Sequence, residues 1–376
     1  MKAASASTVK HANRHAITAY LYRHHGTTKQ MLERELGLSL PTITANLRAL
    51  MEDGLAATGE PQESTGGRKA QTYEFVAEGH VAIGVALRAT ETTMVAVDLR
   101  GRVLDRRSRT AQYRNNDAYY SRIGAQIMEF AATLAAKGHE VLGVAFAIQG
   151  IVSADGNRID FGEVVGNTGL TLDRLAQGVH LPVLMIHDSD ASAMAELWFD
   201  PGIRDAVCIY LERRPGGAVI VDGRLYQGPN LANGTIEHMV LDPDGPRCYC
   251  GQRGCMDTVC SPETLPEEGE SLPGFFSVLE QGEPDHRRRF EAWLDNVARA
   301  IVNIRMVLAG DIILGGEAAQ YLDESDIARL RARVQARSPF PTTHFTLRKS
   351  GCADDQNVVG AALRFIEPYV ARLTGE

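Results

Sequence analysis

The sequence predicts an α/β protein in two parts, an N-terminal winged helix-turn-helix head over residues 1–77 and a two-lobed α/β body over residues 78–376. Three observations carry this. As far as Gly54, apolar side chains recur at helical spacing between capping residues and glycine stops. From Val81 onward, β-branched apolar runs alternate with helical stretches, and the alternation occurs twice. Between the two rounds lies a compact group of one histidine and three cysteines, His238 with Cys248, Cys250 and Cys255.

In the head, Val9, Ala12, Ala16, Ala19 and Tyr20 mark a first helix that runs to His25 and stops at Gly26. Thr27 or Thr28 caps a second over Lys29–Leu36, with Met31, Leu32 and Leu36 inward and Gly37 turning the chain. Ser39 caps a third, with Pro41 in its first turn, Ile43, Leu47, Leu50 and Met51 on one apolar face, and Gly54 at its end. Helix, short glycine turn, helix is the helix-turn-helix arrangement. The third helix is expected to expose Thr42, Thr44, Ala45, Asn46 and Arg48, short polar groups and an arginine of the kind that read major-groove edges. Two short strands, 55–58 and 71–75, flank a Gly-rich basic stretch that reads as a wing, placing Arg68 and Lys69 on phosphates or in a minor groove. The candidate DNA contacts are therefore Ser39, Thr42, Thr44, Asn46, Arg48, Arg68 and Lys69. A generic helical domain with a flexible loop is the plainer alternative.

In the body, Val81–Leu87, Thr93–Leu99 and a third strand after Gly101 form a meander. A helix over Tyr119–Lys137, buried strands at Val141–Ala147 and Leu181–Ile186, and a helix from Ala191 complete the first round. Strands at Ala206–Leu211 and Gly217–Val221, the Asp222-Gly223 turn, helix Phe290–Val307, strand Asp311–Leu314, helix Glu324–Ala336 and a last helix over Asn357–Leu373 make the second. Residues 262–288, rich in Pro, Glu and Gly, read as an insertion or mobile connection. Two α/β halves with a cleft between them is the assembly expected.

His238, Cys248, Cys250 and Cys255 supply the Cys3His set of a tetrahedral structural zinc, and Gly251 and Gly254 let the chain fold back around it. A disulfide or packed thiols are the alternatives, and Cys260 is near enough to be a substitute ligand. Cys-x-Cys is a poor disulfide pair, and a count of four closes the site, leaving no open position for chemistry.

Composition bounds the rest. No apolar run is long enough for a membrane span, residues Met1–Lys10 have no signal-peptide core, and six clustered cysteines suit a reducing compartment, so a cytoplasmic protein is expected. The net charge of −8 is uneven: residues 1–77 hold nine Lys/Arg against seven Asp/Glu, while the remainder holds 30 against 40. A mildly basic head on an acidic body suits nucleic-acid contact at one end only.

With these residues in view the chain resembles the ROK family of repressors, open reading frames and sugar kinases, built on the actin/hexokinase-like fold. The resemblance rests on His238 with Cys248-x-Cys250-Gly-x-x-Gly-Cys255, His187-Asp188, Met194-Ala-Glu196, Val221-Asp-Gly-Arg-Leu-Tyr-x-Gly228 and Ile313-Leu-Gly-Gly316. With Leu36-Gly-Leu-Ser39 and Gly66-Gly-Arg68 in the head, it points to the family's transcription-factor branch. The resemblance implies that Asp188 matches the kinases' catalytic base and that His238 binds both the zinc and a sugar hydroxyl. It also puts Ala86-Leu-Arg-Ala-Thr90 where the kinases have Asp-x-Gly-Gly-Thr, and Glu212-Arg-Arg-Pro-Gly-Gly-Ala218 where they have a glycine-rich phosphate loop. Glu212 repels phosphate and Pro215 lacks an amide donor, so no kinase activity is expected. The family's Gly-Glu-Ile-Gly-His reads Gly234-Thr-Ile-Glu-His238 here, and Asp257 stands for a glutamate. The implied effector site is His187, Asp188, Thr235, His238 and Asp257, for a sugar or sugar derivative. A repressor that binds operator DNA as a homodimer or homotetramer, without membrane contact, is the function expected; a sugar kinase with a DNA-binding module, or a ligand-independent regulator with a scaffold body, are the rivals.

Overall fold

The structure, a computed structural model, describes residues 6–61, 69–228, 234–340, 345–352 and 355–376. Arg68 and the Gly66-Gly pair of the expected wing lie outside the described residues. The head comprises α1 (Ala6–Arg23), β1 (Thr27–Thr28), α2 (Lys29–Leu36), α3 (Leu40–Glu52), β2 (Ala56–Thr58) and β3 (Thr72–Phe75). Thr28 caps α2 by accepting from the Met31 amide, and Gly37 ends it in the left-handed conformation, with φ of 65°, that glycine adopts without strain. Ser39 caps α3 through the Thr42 amide. β3 pairs antiparallel with both β1 and β2. The two-residue strand β1 was not expected from the sequence. Ile43, Leu47 and Leu50 are buried as expected, whereas Met51 is 37% exposed, so the apolar face of α3 is narrower by one residue.

The body holds two five-stranded sheets of the same plan. The first has β4 (His80–Leu87), β5 (Glu91–Asp98), β6 (Val103–Thr110), α4 (Asp117–Ala136), β7 (Glu140–Ile148), a small ribbon of β8 (Ile151–Val152) and β9 (Ile159–Phe161), α5 (Leu172–Leu175), β10 (Val183–His187) and α6 (Asp188–Phe199). The second has β11 (Ala206–Tyr210), β12 (Gly216–Val221), β13 (Arg224–Leu225), a 3-10 turn at Ile236–His238, α7 (Met256–Cys260), a short 3-10 segment at Pro262–Thr264, α8 (Leu272–Glu280), α9 (Pro284–Val307), β14 (Asp311–Gly315), α10 (Glu317–Tyr321), α11 (Glu324–Arg337), β15 (Leu347–Lys349) and α12 (Gln356–Thr374). Strand order is β10-β7-β4-β5-β6 in one and β13-β12-β11-β14-β15 in the other. Each sheet is an antiparallel meander of three strands followed by two parallel strands beside its first. That repetition is the structural form of the double alternation in the sequence.

Residues 262–288 are not a loose insertion. Within them α8 buries Phe275, Phe276 and Leu279 in the core of the second lobe, and α9 starts at Pro284, six residues before the expected Phe290. Arg289 in that first turn and a half donates to Glu270 and Asp285, so it belongs to a local ion network.

Helix α12 returns from the second lobe and threads the molecule. It packs on α6, on β4 and β7, and on α1 of the head. The approach is backbone to backbone: a Cβ on Gly84 would stand 1.9 Å from the Val358 carbonyl oxygen, and one on Gly360 would stand 1.7 Å from that of Ala191. One continuous apolar cluster joins Ile17, Leu21 and Leu47 of the head to Leu363, Ile366 and Val370 of α12. Trp198, at the end of α6, donates to the Arg100 carbonyl, and the Arg100 guanidinium lies over Tyr22 and Phe75, extending the junction.

Candidate functional site

The outer face of α3 presents Thr44, Ala45 and Arg48 to solvent, with Thr42 half-buried and Ser39 exposed at its entry. Asn46 departs from expectation. It is only 9% exposed, and its side-chain amide donates to the Thr42 carbonyl at 2.8 Å, so it is turned into the helix and away from the face that meets solvent. Ser39 and Thr42 share a hydroxyl contact at 2.9 Å that fixes the first turn. Arg48 pairs with Glu52 at 2.9 Å, both well exposed, a contact of little strength that phosphate or a base edge can displace. Lys69 is exposed just ahead of β3.

A cavity of about 680 Å³ lies between the lobes. Its wall on the first lobe comes from the turn after β4 and from the β10–α6 junction, which presents His187 and Asp188. Its wall on the second comes from the β11–β12 turn, the 3-10 turn, and Tyr249. Asp188 opens α6, where the unpaired amides of a helix start favour a carboxylate, and its Oδ1 accepts from the Ser189 amide at 2.8 Å and lies 3.4 Å from His187 Nε2. Thr235 and His238 also line the cavity. Four of the five expected effector residues are thus brought together.

Asp257 is the exception. Its side chain is wholly buried, does not reach the lining, and receives Arg214 Nη1 at 3.0 Å. From behind the wall, at the start of α7, this shorter carboxylate receives the cavity-lining Arg214, and burial raises its pKa against the pull of that arginine. Its assignment as an effector contact is corrected to that of an anchor for Arg214, whose guanidinium also lies over Tyr249.

Glu237 was missed. It stands between Thr235 and His238, 7% exposed, on the cavity lining, and its Oε2 takes no hydrogen bond from any described residue. Burial pushes its carboxyl up to about 7. The available signal was a glutamate at a turn position, next to a candidate metal ligand, where the similar pattern has glycine. Glu212 also lines the cavity; burial raises its pKa too, with Arg88 opposing. Neighbouring Gly216 and Gly316 are required by packing, since a Cβ on the first would stand 2.4 Å from Ser189 Oγ and one on the second 2.7 Å from the Leu211 nitrogen.

Beside the cavity, His238, Cys248, Cys250 and Cys255 converge, with their ligand atoms all within 4.8 Å of one another, a set that can hold a metal ion. His238 Nδ1 lies 3.6 Å from Cys248 Sγ, and Cys250 Sγ lies 3.7 Å from Cys255 Sγ, much too far for a disulfide. Cys260 is fully buried in the apolar core beside Trp293 and stands outside this group.

A winged helix fused to a duplicated α/β body, with a cavity between the lobes and a His/Cys cluster at its edge, defines the class of protein. The chain belongs to the ROK family, whose sequence profile matches residues 82–367. It is 26% identical to the DNA-binding transcriptional dual regulator NagC of Escherichia coli K12 over 257 residues, 67% of this chain and 63% of NagC, so the match spans just under two thirds of that relative. The DNA-binding transcriptional repressor Mlc of the same organism is 26% identical over 315 residues, 82% of this chain and 75% of Mlc. A crystal structure of a ROK family transcriptional regulator, a homologue of E. coli Mlc, superposes with a TM-score of 0.75 at 22% identity, covering 97% of this chain and 98% of that one. The shared fold therefore includes the head as well as the body.

Proposed function

We propose that the protein is a DNA-binding transcriptional regulator of the repressor type whose operator affinity is set by a sugar or sugar derivative bound between the lobes. The single observation that carries this is α12. Its first turn, with Gln356, Asn357 and Val358, lines the cavity, and its other end meets the head, where Gly375 abuts His15 and Glu376 pairs with Arg23. Nineteen helical residues rise about 28 Å, so one continuous helix, with Pro368 inside it, touches both the cavity and the DNA-reading module. A ligand that closes the lobes shifts α12 and α6 together, because Gln356 donates to the Ser192 carbonyl and to the buried Glu196 carboxylate, which also receives Arg348 from the second lobe. Such a ligand alters DNA binding only if it binds the two arrangements with different affinity. The named relatives, NagC and Mlc, are DNA-binding regulators, which supports the same reading.

Residues 1–77 act as the DNA-binding unit and 78–376 as the effector-binding and assembly unit, working in the cytoplasm as a homodimer or homotetramer that offers paired α3 helices to a palindromic operator. Among the described residues no helix is long and apolar enough to cross a membrane. Thr44, Arg48 and Ser39, with Arg68 and Lys69 of the wing, contact DNA; His187, Asp188, Thr235 and His238 contact the effector.

The metal is zinc. Tetrahedral zinc with bonds of about 2.3 Å to sulfur and 2.0–2.1 Å to nitrogen sets ligand-to-ligand edges of about 3.8 Å and 3.6 Å, and the observed 3.7 Å and 3.6 Å fit. With four protein ligands its contribution is structural: it draws together the loop from His238 to Cys255 and fixes which His238 nitrogen, Nε2, remains for the cavity.

Kinase activity is the rival. It requires the nucleotide's phosphates to sit where Glu212 and Pro215 line the cavity, against a carboxylate and without one amide donor. The test of the primary reading selects genomic fragments with the purified protein and titrates them in gel shifts with mono- and disaccharides, their phosphates and N-acetyl derivatives. At least one is expected to change operator affinity fivefold or more; affinity unmoved by every ligand that binds the body would sink the coupling. ATP turnover that disappears in Asp188→Asn would establish the kinase instead.

A further inference from the structure

We infer that the cavity selects a cationic sugar, one bearing a protonated amine, and that Glu237 is the residue that selects it. The inference rests on the effector reading above and narrows its ligand class. Seven carboxylates line the cavity against four guanidinium groups, and no lysine is among the described lining residues. Three of the four arginines are already engaged, Arg106 with Asp355, Arg213 with Glu263 and Arg214 with Asp257. Arg88 lies beside Glu212. A phosphorylated or carboxylated ligand therefore meets an excess of like charge.

The negative charge is not diffuse. Glu237 is nine-tenths buried, belongs to the cavity lining, and has a buried Oε2 with no donor among the described residues. A buried acceptor left unpaired is costly, and a bound N–H donor removes that cost. Asp188 lines the cavity from the opposite lobe, and behind the lining Asp190 and Asp257 each retain one buried oxygen without a partner among the described residues. The donor that suits this corner is an ammonium, which presents three N–H groups, and its charge complements a lining in which carboxyl groups outnumber guanidinium groups. A hydroxyl can satisfy Oε2 as well, yet it leaves the surplus charge of the wall uncompensated.

The experiment is isothermal titration of the full chain at pH 7 with glucosamine, mannosamine and galactosamine, each beside its parent hexose and its N-acetyl derivative, and with glucose 6-phosphate. Every arm is repeated with Glu237→Gln, which keeps shape and one acceptor while removing the charge. The expected result is one amino sugar bound at least about tenfold more tightly than its parent and its acetylated form, no binding of the phosphate, and a preference that falls toward unity in Glu237→Gln. A purely packing role for Glu237 would instead weaken all ligands together and leave the preference intact, which overturns the inference. Parent or N-acetyl sugars binding as tightly as the amine also overturn it while leaving the effector reading standing. No binding by any sugar removes both.

Discussion

Replacing Gly360 by alanine tests the seating of α12, on which the coupling depends. Mid-helix, the change from glycine to alanine is worth about 1 kcal/mol in favour of the folded state, so a helix judged by propensity alone becomes more stable. The structure argues the reverse. The new Cβ would stand 1.7 Å from the Ala191 carbonyl oxygen and 2.5 Å from its carbon, both backbone atoms of α6 that no rotamer change can move. To reach an ordinary contact α12 must retreat by more than about 1 Å, opening the interface where Gln356 meets Ser192 and Glu196; overpacking of this kind costs about 1–3 kcal/mol and sometimes more. The contact outweighs the propensity, and a net loss of about 2 kcal/mol is expected, read as a Tm lower by about 2–3 °C in a chain of this length. Gly351→Ala is the control, because nothing lies within 4 Å of its Cβ position, and it should stay within about 0.5 kcal/mol of wild type. Thermal unfolding of the three proteins decides it: Gly360→Ala melting at or above the wild-type temperature would refute the packing argument.

Three further outcomes follow from the same geometry. Metal analysis should find one zinc per chain, and Cys250→Ala or a strong chelator should cost at least about 2 kcal/mol and abolish ligand response while sparing the intrinsic DNA affinity of the head; an intact ligand response in metal-free protein would contradict the proposed role of the loop. Thr44→Ala and Arg48→Ala should each lose about 1–3 kcal/mol of discrimination between operator and random DNA, whereas Lys69→Ala should weaken both alike and reduce the salt slope by about 1; equal losses on both DNAs for the α3 variants would place the wrong helix in the groove. His286, held by Glu270 first and Glu283 second, has its pKa raised above about 6.5, so its contribution is complete below that pH and is lost as pH rises through the folded value. Tm should therefore decline as pH rises above about 6.5 more steeply in wild type than in His286→Gln, and parallel profiles would exclude the histidine as the cause.

Much of this architecture was legible in the sequence because the signals were local. The caps at Thr28 and Ser39, the glycine stops, and the spacing of the His/Cys cluster each name their own structure within a few residues. Where reading failed, a local rule lost to tertiary context. Pro and Glu content made residues 262–288 look like a connection, yet Leu272, Phe275, Phe276 and Leu279 carry the helical spacing of α8, and three of them are buried. Asn46 stands three residues after Ile43 and four before Leu50, which places it beside the buried face; its polar character suggested exposure, but its amide finds the Thr42 carbonyl within the helix. Thr27 and Thr28 form a strand only because β3, from far along the chain, arrives beside them. At the site, Asp257 and Glu237 exchange places relative to expectation: the first is drawn behind the wall by Arg214 and the second comes onto it, a difference of side-chain reach that spacing does not encode.

The central claim is that the cavity and the DNA-reading head are two ends of one coupled system. Reciprocity tests it most directly: a ligand that binds the body is titrated against the full chain in the absence and in the presence of saturating operator fragment. Linkage requires that the operator change ligand affinity by the same factor by which the ligand changes operator affinity, expected to be fivefold or more. Equal ligand affinity with and without DNA would contradict the account.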